Sequence, residues 1–269
     1  MTVRRLLPVP SRWGIGFSKG DRGTLCIYIG LSAAIGAIGI AAAISGQLLG
    51  LVCASLVSVG FVFEALSVLR SVRRRRDSQE LDLDSGVHLR KGVLVLRRDT
   101  LIRGYEIAAA ATTGLGFLMF AYGVWQEKVT VPVAGMGQLG IYSPVALVLG
   151  SLYVGRALRV SQSQSCEYVL SPSGIRRGQT GVAREWGTIG CAVPAVIAGD
   201  KRMGAWVALE PGHRRDELRV DETAIGATAS LWLFDFYIRH PELREELSST
   251  AAIARLRNGS IVEEESRYV

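Results

Sequence analysis

The stretch LLGLVCASLVSVGFVFEALSVLRSVRRRR, residues 48–76, decides the class of the fold. Between Leu48 and Leu69 its only charged side chain is Glu64, and Arg70 then opens a basic run that includes Arg73, Arg74, Arg75 and Arg76. A helix needs about 20 apolar residues to cross roughly 30 Å of hydrocarbon at 1.5 Å per residue, and this run has that length. The arginines that end it mark the end held on the cytoplasmic side, since basic residues accumulate in cytoplasmic loops.

Upstream, Thr24–Ser45 is a second uncharged run, joined to Leu48 by the turn Ser45-Gly46-Gln47. Residues 24–69 therefore read as one transmembrane hairpin. Residues 1–23 read as a short cytoplasmic segment carrying Arg4, Arg5, Arg12, Lys19 and Arg22. The first apolar run is too long for the core of a cleavable signal and lacks a small-residue cleavage site, so it is expected to stay as an anchor. Downstream, residues 70–104 form a basic loop, and the runs Ile107–Trp125 and Ile141–Leu158 read as a second hairpin over 105–158. In the last run Pro144 is expected in the first helical turn, where a missing N–H costs nothing, and Arg156 is expected to snorkel to the headgroups. The loop 126–140 carries only Lys128, so arginine placement puts both termini in the cytoplasm. Trp125 and Tyr142 fall where aromatic belt residues sit on the outer side.

Composition agrees with this reading. Mean hydropathy is +0.26 and 49% of residues are hydrophobic. The net charge of +7 comes from residues 1–159, because acids outnumber bases from residue 160 onward. A nucleic-acid-binding protein would carry its basic charge on a soluble domain with a recognition motif, which is not seen here, and that class is set aside. All but four of the 31 basic residues are Arg, which with abundant Ala, Gly and Val suggests a high-GC bacterial source.

The period changes after the polar linker at 161–165. Residues 159–250 read as a cytoplasmic α+β domain: short strands at Tyr168–Leu170, Ile175–Arg177, Val182–Ile189, Ala192–Ile197, Ala205–Leu209 and Glu217–Val220, then a helix over Glu222–Arg239 capped by Asp221. Ala227, Leu231, Phe234 and Ile238 recur at helical spacing. Pro241–Leu247 suggests a further short helix, and 251–269 a flexible tail. Within the basic loop, Val87, Leu89, Val93 and Val95 alternate around Arg90-Lys91-Gly92, which favours a hairpin. Leu94 and Leu96 interrupt the alternation and leave an interfacial helix open. Ser85-Gly86-Val87 echoes Ser173-Gly174-Ile175, read as recurring turn chemistry.

Three segments carry a resemblance: Tyr168–Ile175 (YVLSPSGI), Arg184–Ile189 (REWGTI) and Tyr237–Arg244 (YIRHPELR). Together, Tyr168–Leu247 resembles a bacterial pleckstrin-homology (PH)-like domain of the kind carried by multi-pass membrane proteins of actinobacteria. The resemblance implies antiparallel strands closed by an amphipathic helix, and ligand or partner binding without catalysis. It does not extend to the helices.

Motifs for chemistry are missing from the sequence. His88, His213 and His240 are widely spaced, and no CxxC, HExxH, phosphate loop or nucleophile elbow occurs, so no metal, cofactor or catalytic residue is expected. Cys26 and Cys53 lie in apolar runs as packing residues, while Cys166 and Cys191 are expected as reduced cytoplasmic thiols. Glu64 is a candidate functional carboxylate, since an acid within a membrane span is costly to bury. Its place six residues before Arg70 favours instead a pair with an arginine near the inner interface. Arg73–Arg76 are candidates for anionic headgroups, as are Arg176, Arg177 and Arg184 for headgroups or an acidic partner. Small residues repeat at Ser32/Gly36, Gly39/Ala43, Ala108/Thr112/Gly116 and Ala110/Gly114, a spacing that lets helices approach closely within the bundle or between copies. The leading expectation is a non-enzymatic membrane scaffold or accessory protein, in contact with membrane lipids and with a membrane-protein partner or a second copy of itself. The alternative is a small transporter or lipid-handling protein that uses Glu64.

Overall fold

In the computed structural model the described residues are 19–76, 86–129, 138–162, 168–178, 183–195, 206–210, 216–220 and 222–261. They divide into two compact units. One is helical, over 23–69 and 103–163, and the other takes in 70–102 and the chain from 164 onward.

The helical unit contains α1 (Lys19–Ile44), α2 (Leu48–Arg76), α3 (Thr100–Trp125) and α4 (Gln138–Gln162). Among the described residues three helices are long and apolar enough to cross a membrane: Gly20–Ile44 in α1, Leu48–Arg73 in α2 and Thr100–Trp125, which is α3. Their large aliphatic side chains point outward, with Ile38, Ile40 and Ile44 at 65%, 61% and 83% exposure. That pattern is costly in water and favourable against lipid tails. Close approach is made by small residues. A Cβ on Gly60 of α2 would meet the Thr113 hydroxyl and, at 3.0 Å, the Ala109 carbonyl oxygen of α3. On another face of α3 a Cβ on Gly114 would lie 3.2 Å from the Gly150 carbonyl oxygen of α4. Ser32 and Ser58 join α1 to α2 through hydroxyls 2.9 Å apart. The small-residue faces seen in the sequence are thus occupied by neighbouring helices of the same chain.

Helix α4 begins at Gln138, three residues before the expected Ile141, so Pro144 lies inside the helix rather than in its first turn. There it removes one backbone donor. The adjacent Ser143 hydroxyl donates to the Ala121 carbonyl of α3 at 3.2 Å, which anchors that turn.

The second unit holds two antiparallel sheets. The first has the order β1 (Val87–Arg90), β2 (Val93–Leu96), β3 (Tyr168–Ser171), β4 (Gly174–Arg177), β5 (Ala183–Glu185). The second has the order β6 (Cys191–Ala195), β7 (Trp206–Glu210), β8 (Asp216–Arg219). The hairpin β1–β2 turns on Lys91 (φ 50°) and Gly92 (φ 71°), two successive left-handed residues as a two-residue hairpin turn requires. This turn explains the broken alternation at Leu94 and Leu96. Val87 pairs with Leu96 and Leu89 with Leu94, so the inward positions change parity across the turn without any switch to helix. Leu94 and Leu96 are fully buried. The loop 70–104 therefore supplies two strands to the sheet of the C-terminal domain. Strand β2 pairs with β3, Leu94 opposite Leu170 and Leu96 opposite Tyr168, although α3 and α4 intervene in the chain.

Helix α5 (Ala227–Arg239) lies in the core of this unit, buried from Ala227 to Ile238, with Trp232 and Phe234 among the largest buried side chains. It starts five residues later than the sequence suggests. Residues 222–226 are drawn into tertiary contacts instead. The Asp99 amide donates to the Glu222 carbonyl (2.8 Å), the Ala224 amide to the Arg97 carbonyl (2.8 Å), and Arg98 pairs with the Glu222 carboxylate at 2.9 Å. The expected cap Asp221 lies outside the described residues. The expected strand Val182–Ile189 is shorter, because the chain turns in a 3₁₀ helix at Trp186–Thr188, with Trp186 and Ile189 still buried. Pro241–Ser248 is also 3₁₀.

The sequence suggests a flexible tail over 251–269. The chain instead forms α6 (Thr250–Arg257), and Ala252, Leu256 and Ile261 join the core, while residues 262–269 lie outside the described residues. Spacing of four between Ala252 and Leu256 gives α6 an apolar side to bury. A bidentate contact fastens it: Arg255 donates to both oxygens of Glu246 at 2.6 and 2.7 Å. Those hydrogen bonds hold the Glu246 carboxyl below its usual value of 4.5, against the opposing effect of partial burial. A carboxyl lowered in the folded state contributes fully above its unfolded pKa and loses that contribution as pH falls through the lowered folded value. Glu246→Gln is therefore expected to flatten the acid side of a plot of urea midpoint against pH. An unchanged acid limb would show that the contact carries no linkage.

Candidate functional site

The charged pair inside the helical unit is the most distinctive polar feature. Glu64 of α2 is the carboxylate singled out by sequence, and Arg156 of α4 donates to it, Nη1 to Oε1, at 2.6 Å. The Glu64 side chain is 10% exposed and that of Arg156 43%. Tyr28 of α1 and Glu106 of α3 lie close enough to Arg156 to feel its charge. Each of the four helices thus contributes to one polar layer. By sequence, Glu64 and Arg156 each stand six residues before the basic or polar end of their helix, about 9 Å along the axis at 1.5 Å per residue. The partner of Glu64 is therefore Arg156, and Arg70 is committed elsewhere. Arg70 Nη2 donates to Asp99 at 3.2 Å, while the other Asp99 oxygen accepts from the amides of Leu101 and Ile102 and caps α3. Sequence reasoning expected an arginine beside Glu64 but did not single out Arg156, and it missed the Arg70–Asp99 pair, though signals existed: Glu64 and Arg156 are lone opposite charges within apolar runs, and Asp99-Thr100 is a helix-start signature.

Arg73 is exposed on the last part of α2. The backbone helix continues to Arg76, and the side chains of Arg74, Arg75 and Arg76 lie outside the described residues. Arg176, Arg177 and Arg184 do not form one patch. Arg177 lies opposite Tyr168 and Arg184 opposite Ile175, on the core-facing side of the sheet, while Arg176 lies opposite Val169 on the other side. Residues directly opposite share a face and successive residues alternate, so the pleat separates Arg176 from the other two.

Near the 45–47 turn of the helical unit is a cavity of about 510 Å³ among α1, α2 and α3. Its walls include Ile38, Ala42, Ala54, Val57 and Phe120, with Ser45 and Gln47 as polar members and no charged residue. Such a lining favours an apolar ligand and holds no carboxylate, imidazole or amine; its only thiol is that of Cys53. Among the described residues no group of three His, Cys, Asp or Glu is arranged to hold a metal ion. His240 instead contacts Glu242, Nδ1 to Oε1, at 2.9 Å, and His213 and Cys166 lie outside the described residues. Comparison of the chain with protein-family models, with curated proteins and with solved structures found no match.

Proposed function

We propose that this chain is a non-enzymatic bacterial cell-membrane scaffold or accessory protein that crosses the bilayer four times and holds a PH-like module in the cytoplasm to bind a protein partner. The observation that carries this reading is the pairing of β2 with β3. Strands joined in one sheet lie on one side of a membrane. Among the described residues only α3 and α4 lie between them in the chain, so a crossing by α3 requires a return crossing by α4. Arginine-rich residues 70–76 support a cytoplasmic position for that side. Two antiparallel sheets followed by a buried helix support the PH-like assignment, widened to include the hairpin 87–96.

A protein partner is favoured over lipid headgroups because Arg176, Arg177 and Arg184 are divided between two faces of the sheet. The test uses cross-linking of the full chain in native membranes, followed by mass spectrometry of the adducts. A specific membrane-associated protein should be recovered, and lost in an Arg177→Glu/Arg184→Glu variant that still inserts. Recovery of phospholipid adducts alone would overturn the partner reading.

A second reading, lipid handling by the bundle, is favoured by the uncharged cavity near Ser45 and Gln47. It requires phospholipid to stay bound through detergent exchange and to be displaced by Ala42→Phe. Equal lipid content in both proteins would reject it. The Glu64–Arg156 contact speaks against an unpartnered transport carboxylate, since the acid is already engaged.

A further inference from the structure

Helix α4 brings a guanidinium into the helical unit, where Glu64 is the acid in direct contact with it and Glu106 lies nearby. We infer that Glu64 acts as the docking residue that retains α4 across the membrane, by pairing with Arg156 after α2 is in place. The inference rests on the four-crossing reading.

The physical argument begins with cost. An arginine costs about 2.5–3.5 kcal/mol at the centre of a membrane helix on insertion scales and less toward an end, and a lone buried carboxylate is similarly unfavourable. Contact at 2.6 Å lets each offset the other. The two side chains differ in their escape routes. Arg156 is long, 43% exposed and about 9 Å from the helix end at Gln162, so it can reach toward headgroups. Glu64 is short and 10% exposed and cannot. The remainder of the α4 contact is shape: Gly150 against Gly114, and Tyr153 stacked on Phe117 at 6.2 Å. Those contacts fit α4 to α3 and give no reward for a charge. Glu64, the acid in direct contact with Arg156, is thus the main group that distinguishes a helix bearing Arg156 from one that does not, with Glu106 of α3 adding a more distant attraction. The consequence reaches the sheet. Chains in which α4 fails to cross carry β3 on the opposite side from β2, and the five-stranded sheet cannot close.

Charge exchange tests this in the full chain. Membrane vesicles of both orientations are treated with trypsin, and cleavage in the two segments that flank α3 and α4 is read by mass spectrometry. In the natural chain both segments should be cut from the same side. Glu64→Lys should lower the ratio of crossed to uncrossed α4 by roughly tenfold or more, and Glu64→Lys/Arg156→Glu should restore it. With Arg156→Leu the crossing should become indifferent to Glu64→Lys. An unchanged ratio in Glu64→Lys, or a double exchange as defective as the single one, overturns the docking role. Cleavage of the two segments from opposite sides in the natural chain would instead overturn the four-crossing reading, so the two failures are distinguishable.

Discussion

Trp186→Ala is expected to lower the stability of the sheet unit by about 3–5 kcal/mol, the range for removing a buried tryptophan. Trp186 is 2% exposed, and its indole N–H donates to the Ser171 carbonyl at 2.7 Å. The Arg244 guanidinium lies 5.5 Å from its ring centre, while the same arginine donates to the Tyr237 and Ile238 carbonyls at the end of α5. One side chain thus ties the β3–β4 turn to the end of the central helix. Its loss leaves both a cavity and an unpaired carbonyl, against a total stability of only about 5–15 kcal/mol for a typical domain. Urea unfolding of the purified protein in detergent, followed by protease sensitivity of the sheet segments, reads the effect. A midpoint within experimental error of the natural chain would show that the indole is not a structural centre.

Gly60→Leu should be the most disruptive single change in the helical unit, costing about 1–3 kcal/mol or more through overpacking. The atoms opposing a side chain there include the Ala109 backbone oxygen at 3.0 Å, which cannot move aside without moving α3. The expected result is an earlier transition in a detergent-to-dodecylsulfate titration. Gly30→Leu on α1, where a Cβ meets nothing within 4 Å, should leave the transition in place. Equal behaviour of the two variants would argue that close α2–α3 packing does not stabilise the bundle.

The two predictions touch parts that differ in how far the sequence reveals them. The helices were legible because the solvent leaves few options: twenty uncharged residues have one favourable place, and arginine marks their ends. Small residues at spacing four likewise announced close packing, and Gly39, Gly114 and Gly116 are where it occurs, while Gly60 lies outside those repeats. The strands 168–177 were readable because tight turns at 172–173 and 178 punctuate them. What escaped detection depends on distance along the chain. Nothing local in 87–96 announces that its neighbour is Tyr168–Ser171, and Glu222 looks like a helix residue until Arg98 and Asp99 claim it. The tail was misread for a related reason. Ala252 and Leu256 form too short an apolar pattern to stand out, and they gain significance only against an existing core. For the charged pair, each half was visible by itself. Only the fold shows that they are partners.

The strand order also imposes a schedule on the ribosome. Leu94 emerges some 76 residues ahead of its partner Leu170. At bacterial elongation speeds of roughly 5–20 residues per second, that interval lasts on the order of four to fifteen seconds. On the four-crossing reading proposed above, the hairpin 87–96 would for that time present a greasy, unpaired margin to the cytosol while two helices are threaded into the bilayer. Nascent chains of this protein should therefore be most vulnerable to aggregation between synthesis of residues 97 and 171, and a holding chaperone would find its target there.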